Sequence, residues 1–378
     1  MPIWYEGGVM DFRLVMCVAW TPEFREAPEF QRLQRWVRSE AEHVWSDVVW
    51  VEALPSDGAG CELLIVGERC LVGRRSMAAM RQALRSGASA AVPRRLASSG
   101  LPGLETVRTL RAIERAEQAF LSTHRPTEAS EPPPYPAVLL SADAATALQV
   151  HEAAAILAGE EAPVVPVTGG LCHEFIDYYG EVREDILPLL DTECREVLEI
   201  GCGRGATGDF LQRRLGCRVT GVELNPVVAR AATDRLHRVV VGDALEVDPG
   251  GPFDAVVACE LFEHLVDSEE FLQRLQTWLR PGGRAVLSVP NVGHHAIVED
   301  LMAGRWDYLP VGLLCSTHYR FFTRRTLEDT LRAAGLTDFE IVAQRSEEPD
   351  WLDELPVGLE VDAESLSTTG YYVVIRVP

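Results

Sequence analysis

Between Glu196 and Glu260 the chain sets acidic side chains beside glycines in a pattern that suits a charged ligand. The run Val197-Leu-Glu-Ile-Gly-Cys-Gly-Arg-Gly205 carries glycine at 201, 203 and 205. Such a run lets the backbone turn sharply and approach a ligand with no Cβ in the way. A helix following it directs its first N–H groups at whatever is bound there. Two ligand classes fit. The run G-C-G-R-G-A satisfies the dinucleotide pattern G-x-G-x-x-A, with an acid, Glu223, about twenty residues on. Glu199, two residues before the first glycine, would instead oppose a pyrophosphate and suit an ammonium group. Gly242-Asp243-Ala244 adds an acid able to accept from an adenine amino group.

Histidines, the natural proton acceptors near neutral pH, follow the same region. They stand in Phe262-Glu-His-Leu265, in His294-His295 and at His318. A hydroxyl held near one of them would have a base for its proton. Two adjacent histidines plus His318 could ligate a metal. No carboxylate is fixed beside them by spacing, so no metal site is expected.

These groups need a scaffold, and the hydrophobic pattern supplies one. Glu196–Ile200, Arg218–Glu223, Arg238–Val241, Ala255–Ala258 and Arg284–Val289 are short runs rich in β-branched residues, spaced by helix-like segments as in consecutive parallel βαβ units. Glu340–Ala343 and Tyr371–Val377 would complete the sheet. Pro281-Gly-Gly283 reads as the turn into the fifth strand. The residues FIDYYGEVREDILPLL (175–190) have helical spacing ahead of the first strand. Upstream, Leu14–Trp20 and Leu63–Gly67 read as buried strands, and Phe30–Glu42 and Ser76–Ser86 as amphipathic helices. The proline-rich stretch PTEASEPPPYP (126–136) reads as a linker. A helix is expected around Ala142–Leu157, then a second break at PVVPVTGG. The organisation is thus a small α/β domain over 1–125, a linker and helix over 126–170, and a second α/β domain over 171–378.

Composition narrows the function. The 378 residues contain no lysine, which removes Schiff-base chemistry, the P-loop and the kinase ATP lysine. A formal charge of −22 repels phosphate backbones and anionic lipid, so no nucleic-acid partner is expected. No stretch is apolar for long enough to span a membrane, and the first twenty residues lack a signal-peptide layout. Nine scattered cysteines without a C-x-x-C pair fit a reducing cytoplasm.

The ordered segments E-I-G-C-G-R-G, G-V-E-L-N, G-D-A, F-D-A-V-V-A-C-E-L-F-E-H-L and L-R-P-G-G resemble the motifs of class I S-adenosylmethionine-dependent methyltransferases, from about Leu171 to the C-terminus. The resemblance implies an α/β fold, a Rossmann-like seven-stranded domain preceded by a smaller α/β domain. It implies S-adenosylmethionine as cofactor and S-adenosylhomocysteine as product. Glu199 with Gly201, Gly203 and Gly205 would hold the methionine end, Glu223 the ribose hydroxyls, and Asp243 with Ala244 the adenine. Cys259 and Glu260 would lie under the cofactor, with Tyr178 on a capping helix toward the sulfonium. His318, His264 and His295 are the candidate catalytic groups. The stretch Gly304–Thr323 is similar to a segment of methyltransferases from bacterial glycan and natural-product pathways, with Cys315 in place of an expected Asp.

The expected reaction is therefore methyl transfer to a hydroxyl of a sugar or small natural-product intermediate. An NAD-linked oxidoreductase and a non-catalytic scaffold are the alternatives. The first domain faintly resembles a degenerate glycosyltransferase, without a D-x-D pair, and could make the chain a homodimer.

Overall fold

The computed structural model describes residues 14–19, 28–51, 53–54, 61–67, 70–96, 109–128, 131–148, 152–160, 165–174, 179–309, 312–356 and 359–378. The chain divides into two units, Met1–Ile176 and Asp177–Pro378.

The first unit runs β1 (Leu14–Ala19), α1 (Pro28–Ala41), β2 (Val48–Val51), β3 (Glu62–Gly67), β4 (Cys70–Leu71), α2 (Arg74–Arg85), β5 (Ala90–Arg95), α3 (Leu110–Thr123), β6 (Ala137–Leu140), α4 (Ala142–Thr146), α5 (Ala153–Leu157) and β7 (Pro166–Glu174). Its strands form one mixed sheet in the order β2-β1-β3-β6-β5-β7-β4. Residues 126–170, expected as a linker and helix, contribute β6 and part of β7 to this sheet, and the division falls after Ile176. The glycines of PVVPVTGG are not a break. They lie within β7 because α2 packs directly on it: a Cβ on Gly169 would stand 2.8 Å from Met80 Cα, and one on Gly170 2.7 Å from Ser76 Cβ. Helix α2 turns Ser76, Met77, Met80, Ala83 and Leu84 inward, the i, i+3, i+4 spacing of a one-faced helix.

The second unit runs β8 (Glu196–Ile200), α6 (Ala206–Leu215), β9 (Arg218–Glu223), α7 (Pro226–Thr233), β10 (Arg238–Val241), β11 (Phe253–Cys259), α8 (Ser268–Trp278), β12 (Leu279–Pro290), α9 (His295–Met302), α10 (Arg324–Ala333), β13 (Phe339–Arg345), α11 (Ala363–Leu366) and β14 (Thr368–Arg376). The seven strands are ordered β10-β9-β8-β11-β12-β14-β13. The first five are parallel and β14 is antiparallel to both its neighbours. Alternate residues pack opposite faces, as a strand requires. Leu198, Ile200, Val256, Ala258 and Leu287 join Phe271 and Leu275 of α8 on one side. Val197, Val219, Val257 and Val286 join Leu211 of α6 on the other. This is the Rossmann-like α/β fold of class I methyltransferases expected from the motifs.

Two local expectations change. Residues 279–283 belong to β12 as a bulged extension rather than a turn before it, with Leu279 opposite Phe253 and Arg284 opposite Ala255. Of the helix expected over 175–190, the described residues 179–190 hold a short 3-10 segment, Glu184–Leu189, containing Pro188. Tyr178 lies outside the described residues.

Strand order reverses between β8 and β11, whose carboxyl ends therefore leave a crevice between loops that part in opposite directions. The acidic motifs all reach that edge.

Candidate active site

The glycine loop leaves β8 and enters α6 with Gly201, Gly203 and Gly205 all left-handed, at φ 72°, 54° and 76°. A Cβ on Gly203 would lie 2.5 Å from the carbonyl oxygen of Tyr179, so glycine is required there for space as well as for φ. The loop's N–H groups are already engaged. Gly201 and Cys202 donate to Val222 O (2.8 and 3.1 Å), Arg204 to Tyr179 O (2.8 Å), and Gly205 to Cys202 O (2.8 Å). Gly203 donates to Glu223 Oε2 at 2.9 Å, while Asn225 donates to Glu223 Oε1 at 2.9 Å. A dinucleotide loop would aim such donors at a pyrophosphate. Here they face protein acceptors, and the edge is lined with carboxylates. The oxidoreductase alternative loses its support on both counts.

Glu199 sits beneath this loop, buried against α6, where a Cβ on Gly208 would meet its Oε2 at 2.5 Å. Burial pushes its carboxyl up to about 8, the charge of Glu223 acts in the same direction, and a hydrogen bond from Gly208 opposes both. Its Oε2 has no hydrogen-bond partner. A buried carboxyl with one oxygen unsatisfied at this edge is what a bound ammonium would ionise and pair with, so the residues present fit a donor that carries one. Asp243 follows β10, and its Oδ1 accepts from Leu245 N at 2.8 Å, fixing the turn that also carries the buried Ala244.

Glu260 follows β11 with a φ of 49°, the one non-glycine residue with positive φ among those described. That conformation is costly for a residue with a side chain and persists only where neighbours impose it. Ser288 of β12 imposes it here: its Oγ accepts from Glu260 N at 2.9 Å and donates to Glu260 Oε1 at 2.7 Å. Arg183 reaches the same Ser288 Oγ at 3.2 Å and lies 3.6 Å from Glu260 Oε1. It also binds Asp185 and Tyr372. Sequence reasoning missed Arg183, Asp185, Ser288 and Tyr372. Only Ser288, a hydroxyl inside the apolar run of β12, left a signal. Cys259 beside them is held as a thiol, its pKa pushed up to about 12 by burial.

The histidines divide into two groups. His264, on the 3-10 turn Phe262–His264 after β11, meets His318 edge to face at 4.7 Å between ring centres. His264 Nδ1 lies 3.3 Å from Thr317 O, and His318 Nδ1 3.2 Å from Leu313 O. A carbonyl only accepts, so Nδ1 of each ring carries the proton and Nε2 is the basic atom. Both Nε2 atoms face Glu263 Oε1, at 4.0 and 3.9 Å. Glu263 is fully buried, and burial holds its carboxyl well above the usual range, with the charge of Glu260 adding to the effect. The chain after His318 is tied down by Tyr319 N and Arg320 N donating to Glu263 O at 2.9 and 3.2 Å.

His295 belongs to the other group. His294 caps α9 through Ala296 N, the two rings lie 4.3 Å apart, and His295 Nδ1 faces Glu299, which also accepts from Trp351 Nε1 at 2.8 Å. Its contacts are those of a helix start. His295→Ala is expected to leave donor affinity and turnover within about threefold of wild type and to cost under ~1 kcal/mol, since a part-exposed pair one helical turn apart contributes little. Calorimetry and thermal melts check this.

Residues 173–341 match a family model described as a methyltransferase domain. A ubiquinone biosynthesis O-methyltransferase from Xanthomonas axonopodis pv. citri is 31% identical over 153 residues, covering 37% of this chain and 62% of that protein. Its counterpart from Bradyrhizobium diazoefficiens is 39% identical over 101 residues, covering 25% of this chain and 40% of the relative. The chain thus spans under two thirds of the length of these relatives. Among solved structures, the N-methyltransferase NodS from Bradyrhizobium japonicum with S-adenosyl-L-homocysteine aligns at 22% identity and a TM-score of 0.34, over 52% of this chain and 87% of that one. A methyltransferase from Archaeoglobus fulgidus aligns at 21% identity and a TM-score of 0.38, over 51% and 90%.

Proposed function

We propose that this chain, whose residues 173–341 match a methyltransferase-domain family model, moves a methyl group from S-adenosylmethionine to a hydroxyl of a sugar or small natural-product intermediate. The observation that carries the reading is the carboxyl edge of the second sheet: a glycine loop whose N–H groups are engaged within the protein, ringed by Glu199, Glu223, Asp243 and Glu260. That edge repels a polyphosphate and suits a donor that carries a sulfonium and an ammonium group in its methionyl half. We assign Glu199 and the loop to the methionine end, Glu223 to the ribose, and Asp243 with Ala244 to the adenine. Cys259 and Glu260 lie under the cofactor.

Bound S-adenosylmethionine supplies the electrophilic methyl group; the protein aligns donor and acceptor and provides for the hydroxyl proton. We assign that second task to His264 and His318, whose Nε2 atoms share one edge. The names of the curated relatives support oxygen as the acceptor atom. Cys315, which replaces an expected Asp, is buried with its Sγ 3.0 Å from Thr317 Oγ1. It packs the loop that presents His318, which is compatible with a competent enzyme. No helix among the described residues is long and apolar enough to cross a membrane. We place the chain in a reducing cytoplasm on the ground that its nine cysteines are free thiols. We assign the first domain to acceptor recognition or homodimer formation.

Calorimetry with S-adenosylmethionine, S-adenosylhomocysteine and NAD tests the donor. The sulfur cofactors should bind at micromolar affinity, and Asp243→Ala should weaken them about 10- to 100-fold through loss of a charged acceptor. Binding of NAD alone would overturn the assignment. With nucleotide-sugars, glycosides and phenols as acceptors, His318→Ala should lower kcat about 100-fold or more while donor affinity holds.

A further inference from the structure

We propose that Glu263, His264 and His318 form a binding site for a divalent transition-metal ion, Zn²⁺ by preference. One carboxylate oxygen and two imidazole nitrogens converge, with all three ligand atoms within 4.8 Å of one another. The oxygen stands 4.0 Å from His264 Nε2 and 3.9 Å from His318 Nε2. These gaps are too long for hydrogen bonds. A triangle of that size encloses a point roughly 2.4 Å from each corner, close to the ~2.0–2.2 Å of Zn–N and Zn–O bonds, so a small inward movement of the side chains completes the coordination.

The surroundings agree. Glu263 has no exposed surface, and neither of its carboxylate oxygens has a hydrogen-bond partner. A buried carboxylate in that condition is costly unless a cation compensates it. Each histidine has its outer nitrogen anchored on a backbone carbonyl, at Thr317 and Leu313, the arrangement that fixes the tautomer and aims Nε2 at a metal. The loop bearing His318 is fastened to the turn bearing Glu263 and His264 by two backbone hydrogen bonds, so the ligands are held before any ion arrives. Two nitrogens with one carboxylate favour Zn²⁺ and its neighbours over Mg²⁺ or Ca²⁺, which take oxygen sets. Three protein ligands also leave coordination positions open, as in catalytic rather than structural zinc sites. Those positions can take a hydroxyl oxygen and lower its pKa, so that with the ion bound the two histidines act on the hydroxyl through the metal, the proton leaving to solvent, and without it as free bases; this use rests on the methyl-transfer reading, whereas the site itself does not. The sequence reading set His318 beside His294 and His295, where no carboxylate is fixed by spacing; Glu263 adjoins His264 in the chain, and His318 meets them only through the folded loop.

The test is metal binding by the full chain after treatment with a chelator. Wild type should bind about one Zn²⁺ at micromolar affinity or better by calorimetry. Co²⁺ should give visible d–d bands without the near-ultraviolet thiolate band that a cysteine ligand would add. His318→Ala and His264→Ala should each weaken Zn²⁺ by about 100-fold or more. Glu263→Gln should do the same, with circular dichroism to confirm folding, and His295→Ala should bind as wild type. Absence of binding by wild type, affinity retained in the folded His318→Ala protein, or a thiolate band would each overturn the proposal. S-adenosylmethionine affinity, measured on the same samples, reports separately on the methyltransferase reading.

Discussion

Gly203→Ala is expected to abolish S-adenosylmethionine binding, a loss of at least about 100-fold, and to lower thermal stability as well. Two costs combine at this position. Alanine at a φ of 54° sits in the left-handed region, worth about 1–2 kcal/mol. Its Cβ would also stand 2.5 Å from Tyr179 O, a backbone atom that can move only by dragging the strand-to-helix loop with it. The same loop brings Gly203 N onto Glu223 Oε2, so any retreat also pulls away the carboxylate proposed for the ribose. Gly216→Ala is the control. Gly216 ends α6 at a φ of 66°, and a Cβ there meets nothing within 4 Å. It therefore carries the conformational cost alone, about 1 kcal/mol, with donor affinity intact. Melting curves and calorimetry on the pair separate the two terms. If Gly203→Ala bound S-adenosylmethionine within threefold of wild type, or destabilised the protein no more than Gly216→Ala, the tight loop would not be the donor cradle.

The contrast between those two glycines also marks what a linear reading can reach. The loop itself was legible because alternate glycines between a β-branched run and a helix have few other uses. Strands β8, β9 and β10 were legible to the residue, their β-branched runs being bounded by turn residues on both sides. Glycine misled where packing rather than turning required it. Gly169 and Gly170 read as punctuation, yet they are strand residues over which α2 lies too close for any Cβ. Pro281–Gly283 read as a turn and lies within the bulged start of β12, where Gly282 does turn the backbone, at a φ of 78°. The acceptor side was the least legible. The groups proposed for the acceptor, Glu263 with His318, come from segments far apart in the chain, and so do those that hold Glu260: Arg183 ahead of β8, Ser288 in β12 and Tyr372 in β14. No local periodicity encodes those meetings. His295 illustrates the converse, a residue of the right chemistry that the fold occupies with starting a helix.

A second large effect is expected from Glu199→Gln, and its sign depends on pH. Burial among the strands, α6, the Cys202 and Cys259 thiols and the Glu223 carboxylate holds the Glu199 carboxyl near 8 in the folded protein, against about 4.5 unfolded. Below pH 4.5 both states are protonated and the group is neutral in the balance. As pH rises from there toward 8, the unfolded chain gives up its proton while the folded one keeps it, so stability falls. Above 8 the loss is complete, on the order of 3 kcal/mol once some relaxation of the site is allowed for. Glutamine has the shape of the protonated acid and no proton to lose. The variant should therefore match wild type near pH 4 and exceed it at pH 8.5, with a flatter dependence of melting temperature on pH. Without the cofactor, then, Glu199 weakens the fold. With it, the proposed pairing to the methionine ammonium would draw the carboxyl down and expel its proton. Binding at pH 7 should release close to one proton in wild type, read as a heat of binding that varies with the buffer's ionisation enthalpy, and none through this group in Glu199→Gln. The variant should also bind S-adenosylmethionine at least about 10-fold more weakly, because the ammonium then meets a neutral amide. Parallel melting profiles for the two proteins would show that Glu199 is ionised in the fold at all these pH values. Equal proton release would show that the ammonium lies elsewhere. The joint outcome expected here, a variant that is more stable and binds less, is the signature of a side chain kept for its ligand rather than for the fold.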